Sequence, residues 1–229
     1  MDGVNLVYQL ITFDMYSATL DINGSAVPMV EKILNKDRAF SKDFFSLWRN
    51  QQWNYLLLNN SMEKGYKSYQ YITRTVLHYT ADKLGISLEN DQEESLMKIW
   101  TSFKPWPEAP SVLKELKNRG YKIGMLSNGD QDMLAPLADA TGVNFDYIFS
   151  ADEAGFYKPN PNVYEVPSHR LGIKKDQWLH VAGSVFDVMG TKAAGYNCAW
   201  SNRYGDYVLD PKFEPDYMMK NLNDLLTFL

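Results

Sequence analysis

The chain has 229 residues, with 23 Lys and Arg against 28 Asp and Glu and a net charge of −5. That length gives one large domain or two small ones with a packed core, and the absence of a basic run to neutralise phosphates counts against a nucleic-acid partner. A single cysteine, Cys198, excludes an intrachain disulfide and suits a reducing compartment. No apolar run approaches the roughly 20 residues of a membrane span, and no secretory signal pattern opens the chain, so a soluble cytoplasmic protein is expected.

The first apolar run, 6–13, reads as a buried strand, and it ends on Asp14. An ionised carboxylate at the end of such a strand is costly unless it has partners. The carboxyl ends of strands in an open α/β sheet are also where ligands bind. Asp14 is the candidate nucleophile of an ester-forming hydrolase; taken alone it reads equally as an N-cap or loop carboxylate. Two residues on stands Tyr16, not a second acid.

From 21 to 105 the chain shows Leu, Tyr, Trp and Met at helical spacings, as in Phe44, Phe45, Trp48, Gln52 and Tyr55. Further helical patterns cover 66–84 and 92–103, with stops at Gly65 and Gly85. This predicts an all-helical insert, placed as a lid above the end of the first strand. Arg49 lies within it, and surface exposure is the ordinary reading. Its aromatic neighbours could instead turn the guanidinium inward to hold an anion or a halide.

A stiff proline-rich connector, 105–110, returns the chain from the insert. Beyond it, helices over 112–118, 131–141, 161–171 and 187–194 alternate with strands over 121–126, 145–150, 178–182 and 197–200, and a last helix covers 222–228. The alternation predicts an α/β fold with a Rossmann-like parallel sheet and right-handed crossovers. The core is then 1–20 with 106–229, and the cap is 21–105. Pro167 falls inside a predicted helix and should kink it, at about 3 kcal/mol unless accommodated.

Polar groups close these strands. The Ser127 hydroxyl and the amides of Asn128 and Gly129 could hold a carboxylate or phosphate, and Asp130 could cap the next helix; a plain capped turn is the competing reading. Lys158, in a loop fixed by Pro159 and Pro161, could stand beside Asp14 at the sheet's mouth; a solvated loop lysine is the alternative. Asp187 could orient Lys158 or a water, or could serve only as a helix-start carboxylate. Ala182 and Gly183 occupy the strand tip where a second acid would help bind magnesium, so no metal is expected. No Gly-rich nucleotide fingerprint is present, and no cofactor is expected. His78, His169 and His180 lack ligand spacing; His180, within a strand, reads as packed or hydrogen-bonded rather than as a base. Cys198 should pack in the last strand.

Taken together, Asp14-Met15-Tyr16-Ser17-Ala18-Thr19, Leu47-Trp48-Arg49, Ser127-Asn128-Gly129, Tyr157-Lys158-Pro159, Val163-Tyr164-Glu165 and Asp187 follow a known order. With this insert, the chain resembles the haloacid dehalogenase superfamily over nearly its whole length, and within it the type II L-2-haloacid dehalogenases. The resemblance implies a hydrolase of carbon–halide bonds acting on a small anionic 2-haloacid without metal. In that scheme Asp14 attacks the halogen-bearing carbon and Arg49 receives the halide. Ser127 and Asn128 hold the carboxylate, and Lys158 pairs with Asp14, supported by Tyr164. Asp187 lies near the hydrolytic water. Tyr16, Trp53 and Phe186 line the apolar side, with Ser184 at the pocket. A homodimer through the insert also goes with the family.

The chain departs from the family pattern at Ala18 (usually Thr), Ala182 (usually Ser), Ser184 (often Asn) and Trp53 (usually aliphatic). Lost positioning groups near the chemistry can cost about a hundredfold in rate. Two other readings follow from these departures and from the fold: a magnesium-dependent small-molecule phosphatase, and a non-catalytic carboxylate-binding member.

Overall fold

The computed structural model describes residues 7–62 and 64–229. The first strand, β1 (Leu10–Phe13), is buried throughout, as befits a strand covered on both faces. It is shorter than the predicted 6–13; residue 6 lies outside the described residues, and 7–9 are not strand. β1 runs into a tight π-helical turn, Met15–Thr19, with Asp14 as its N-cap.

After β2 (Leu20–Asp21) come four helices, α1 (Ile22–Leu34), α2 (Arg38–Ser61), α3 (Tyr69–Lys83) and α4 (Asn90–Ile99). The chain then returns through β3 (Lys104–Pro105), which pairs antiparallel with β2, Leu20 opposite Pro105. The connector is thus strand at its start and helix at its end, because Pro110 occupies the first turn of α5 (Ala109–Asn118), where a missing N–H costs nothing.

The rest of the chain alternates as expected: β4 (Lys122–Ser127), α6 (Gln131–Ala140), β5 (Tyr147–Ser150), the short α7 (Ala151–Ala154), α8 (Pro161–Leu171), β6 (Trp178–Ala182), α9 (Val185–Ala193) and β7 (Asn197–Ser201). Sequence reading missed β8 (Tyr217–Met219), so Cys198 is not in the last strand; α10 (Leu225–Phe228) closes the chain. α8 continues as one helix through Pro167, which is buried.

The main sheet has six strands in the order β5-β4-β1-β6-β7-β8, and every neighbouring pair is parallel. The chain adds β4 and β5 on one side of β1, then crosses to lay β6, β7 and β8 on the other. The order therefore reverses at β1, and the carboxyl ends of β1 and β6 open the crevice that such a switch point creates.

An aromatic cluster roofs the turn after β1. Tyr16 stacks on Tyr69 at 5.4 Å, Trp48 meets Trp100 edge-on at 5.3 Å, and Phe45 and Phe103 complete the packing. These rings tie the helical segment to the sheet. Among the described residues no helix is long and apolar enough to cross a membrane.

Candidate active site

Asp14 directly follows β1 and is largely buried. One carboxylate oxygen, Oδ2, accepts from the Ser17 amide at 2.9 Å and the Ser17 hydroxyl at 2.6 Å. The other, Oδ1, lies 3.3 Å from the Lys158 ammonium. Lys158 is only 2% exposed, so it is no solvated loop lysine. Its backbone N–H donates to Asn128 Oδ1 at 2.8 Å, which anchors its loop to the end of β4.

Lys158 also donates to Asp187 Oδ2 at 2.9 Å. Asp187 lies in the first turn of α9, and Ser184, the N-cap of that helix, accepts from its amide. Tyr164, buried in α8, donates its hydroxyl to Asp187 Oδ1 at 2.9 Å. His180 Nε2 lies 3.0 Å from Asp187 Oδ2. Burial opposes the Asp187 carboxylate, but Lys158 and His180 outweigh it and hold its pKa well below the ordinary carboxylate range. Burial first, and then Asp187, push the Tyr164 phenol well up, so it stays a donor. The Asp187 carboxylate thus spends its contacts on protein donors, which fits an orienter of Lys158 better than an orienter of water.

The loops that bring these groups together pass very closely. A Cβ added to Gly183, at the tip of β6, would stand 2.2 Å from the Ala18 nitrogen, so only glycine fits there. Ser127 ends β4 with its hydroxyl buried and without a partner among the described residues. Such an orphan is costly unless a ligand supplies an acceptor or donor. Asp130 stands at the N-cap of α6, as expected, but its carboxylate makes no capping bond there. Its carboxylate accepts instead from the Tyr66 hydroxyl and the amides of Tyr69 and Gln70, so it joins the helical segment to the core.

A cavity of about 290 Å³ opens beside the nucleophile turn and is lined by Ser17, Arg49, Trp53, Ser184, Phe186 and Arg203, among others. A larger hollow of about 470 Å³ between α1 and α4 holds none of the candidate residues. Arg49 is turned inward as the aromatic setting suggests. It donates to Gln52 Oε1 at 2.6 Å and to the Tyr69 hydroxyl at 3.2 Å. Its guanidinium lies 5.5 Å from the centre of the Trp100 ring and 6.0 Å from that of Tyr16. Trp53 and Phe186 pack at 5.5 Å and narrow the mouth.

Sequence reading missed Ser17 as a partner of the nucleophile and the place of His180 in the charged cluster. The first had a signal in the Asp-x-x-Ser spacing of a cap. The second had one in a histidine set among the apolar residues of a buried strand.

A divalent cation does not fit this donor set. The Lys158 ammonium stands between Asp14 and Asp187, position 16 offers a phenol and no carboxylate, and hard cations need several free oxygens.

Fold and site together define an α/β protein with a paired carboxylate and buried ammonium at the sheet's carboxyl edge, beside a small cavity lined by Ser17 and an inward arginine. The model of haloacid dehalogenase-like hydrolases matches residues 8–195, and the chain belongs to that family. It is 33% identical to haloacetate dehalogenase H-2 of Moraxella sp. (strain B) over 199 residues, 86% of this chain and 87% of that one. A crystallised L-2-haloacid dehalogenase superposes with a TM-score of 0.90 at 26% identity, over 97% of this chain and 99% of the other. The L-2-haloacid dehalogenase of Xanthobacter autotrophicus, solved with chloropropionic acid covalently bound, has a TM-score of 0.83 at 25% identity, over 96% and 98% of the two chains.

Proposed function

We propose that this chain is an (S)-2-haloacid dehalogenase that converts a small L-2-haloacid to the 2-hydroxy acid and halide through an ester on Asp14. The observation that carries the reading is the Asp14–Lys158–Asp187 chain at the sheet's carboxyl edge, beside a cavity that holds Arg49. The covalently occupied Xanthobacter relative supports the same chemistry. An Asp14 oxygen attacks C2 and the carbon–halogen bond breaks, its electron pair leaving with the halide. Arg49 offers the halide a cation in an aromatic setting. The orphan Ser127 hydroxyl supplies a donor to the substrate carboxylate, with Asn128 beside it. Water then adds to the ester carbonyl carbon and the ester C–O bond breaks; one water proton goes to the departing alkoxide, the other to solvent, and Asp14 returns as a carboxylate. Lys158, Asp187 and Tyr164 hold the charge balance through both steps. Tyr16, Trp53 and Phe186 form the apolar wall, and Ser184 its polar edge.

In this reading residues 21–105 are the cap, and 1–20 with 106–229 the catalytic core. A cytoplasmic homodimer through the cap completes it, and light scattering tests the dimer.

The deciding experiment is halide release from L- and D-2-chloropropanoate with EDTA present, with Asp14→Asn as control. Release from the L form alone, absent in the variant, is expected. Release no greater than the variant's would overturn the assignment.

A further inference from the structure

We propose that His180 is a positioning residue of this centre, a neutral imidazole that donates from Nε2 to Asp187 and thereby fixes the Lys158 ammonium beside Asp14. Its kinetic arm rests on the dehalogenase reading; its spectroscopic arm does not.

The argument begins in the sheet. β1 and β6 pair so that Thr12 lies opposite His180 and Leu10 opposite Trp178. Trp178, His180 and Ala182 share one face of β6, since side chains alternate along a strand. Ala182, at the tip, has no polar atom with which to hold Lys158. His180, one step deeper on that face and fully buried, is within reach of it.

The ring's proton can be assigned from its neighbours. Trp178 Nε1 donates to Thr12 Oγ1 at 2.9 Å, and an indole N–H can only donate. Thr12 Oγ1 lies 2.8 Å from His180 Nδ1. Having accepted from Trp178, Thr12 keeps its own hydrogen to give to Nδ1. The imidazole proton is then on Nε2, which lies 3.0 Å from Asp187 Oδ2 and 3.2 Å from Lys158 Nζ. An ammonium has no lone pair to accept it, so the proton goes to the carboxylate. The opposite tautomer would let Nε2 accept from Lys158, but it would set that lone pair against Asp187 Oδ2 and leave the Thr12 hydrogen with no acceptor in this relay. Burial, with Lys158 adding to it against the pull of Asp187, pushes the His180 pKa below the ordinary imidazole value.

The consequence reaches the reacting atoms through Lys158. Asp187 is held by donors from α8, β6 and the Lys158 loop. One ammonium hydrogen of Lys158 is committed to Asp187 and a second to Asp14. With His180 acting as a donor, the third has no protein acceptor among the described residues and is left for the reacting groups.

Two variants of the full chain and one spectrum test this. His180→Phe keeps the ring and loses both nitrogens; His180→Gln restores an N–H within reach of Asp187. With L-2-chloropropanoate, kcat should fall about 10- to 100-fold in H180F, with KM within about threefold, and should largely recover in H180Q. Nitrogen-15 NMR of the histidine-labelled, substrate-free protein should show the His180 proton on Nε2 and a bare Nδ1, unchanged where free imidazole titrates. Wild-type kcat in H180F, equal losses in the two variants, a proton on Nδ1, or titration in that range would each overturn the proposal. If H180F fails to fold, H180Q and the spectrum decide. A wild-type protein that releases no halide but gives the expected spectrum would sink the dehalogenase reading and leave the His180 assignment standing.

Discussion

The Ser17 hydroxyl, 2.6 Å from Asp14 Oδ2, is one residue away from where the family pattern places a threonine hydroxyl. Ala18 reads in the sequence as a loss, yet the turn after β1 is wound so that position 17 faces the carboxylate. The Asp-x-x-Ser spacing carries a hint of it, but the family motif lists residue types and not the winding of a π-helical turn. Ser17→Ala should leave the fold intact and lower kcat about 10-fold, since it removes a charge-assisted hydrogen bond from the nucleophile; halide-release kinetics with a melting curve check both parts. Asp14, Lys158 and Asp187 were legible as separate polar stations, and Tyr164 only through the family resemblance. Their mutual distances were not; His180 showed only as a polar residue in a buried strand, and its partners follow from strand pairing.

At the scale of elements, the alternation of strand and helix was legible because apolar runs bounded by glycines carry a strong periodic signal. β8 escaped because three residues are too few to show a period, and β2 and β3 because two residues are fewer still. The contacts that bind α2 and α3 to the core also had no sequence signal. Asp130 accepts from three groups around the start of α3, and Asn60, in α2, exchanges hydrogen bonds with the backbone of Tyr157 in both directions. Asp130→Ala should cost about 2–4 kcal/mol, because it strands buried donors. Urea unfolding measures the loss, and limited proteolysis should find new cuts between α2 and α3. Tyr157 and Asn128 adjoin Lys158, so the same lesion should also lower activity.

For the whole molecule, acid is the expected weakness, and the sign follows from the buried cluster. Asp187 has its pKa lowered from an ordinary 3.8, so its stabilisation is full above that value and is lost as pH falls below it. His180 has its pKa lowered from 6.5, so below that pH the unfolded chain binds a proton that the native protein refuses. Both make the unfolded state the better proton binder, so stability rises with pH through each window. The groups around His180 are Lys158, Asp187, Tyr164, Thr12 and Trp178, with the Asp14 charge also acting on it. Denaturant titrations at a series of pH values should therefore show a fall that starts below about 6.5, and H180Q should flatten that upper part.

The two-residue ribbon of β2 and β3 also has a mechanical meaning. The helical segment leaves and rejoins the sheet through one narrow doorway, Leu20 against Pro105, and the nucleophile turn ends at its threshold. Just past the doorway, the Trp106 indole donates to the Ser17 carbonyl while its ring lies beneath the Arg203 guanidinium, which is paired with Glu108. The doorway and the turn that holds the nucleophile are therefore one joined piece of backbone: Trp106 grips residue 17 from one side, and residue 17 grips Asp14 from the other.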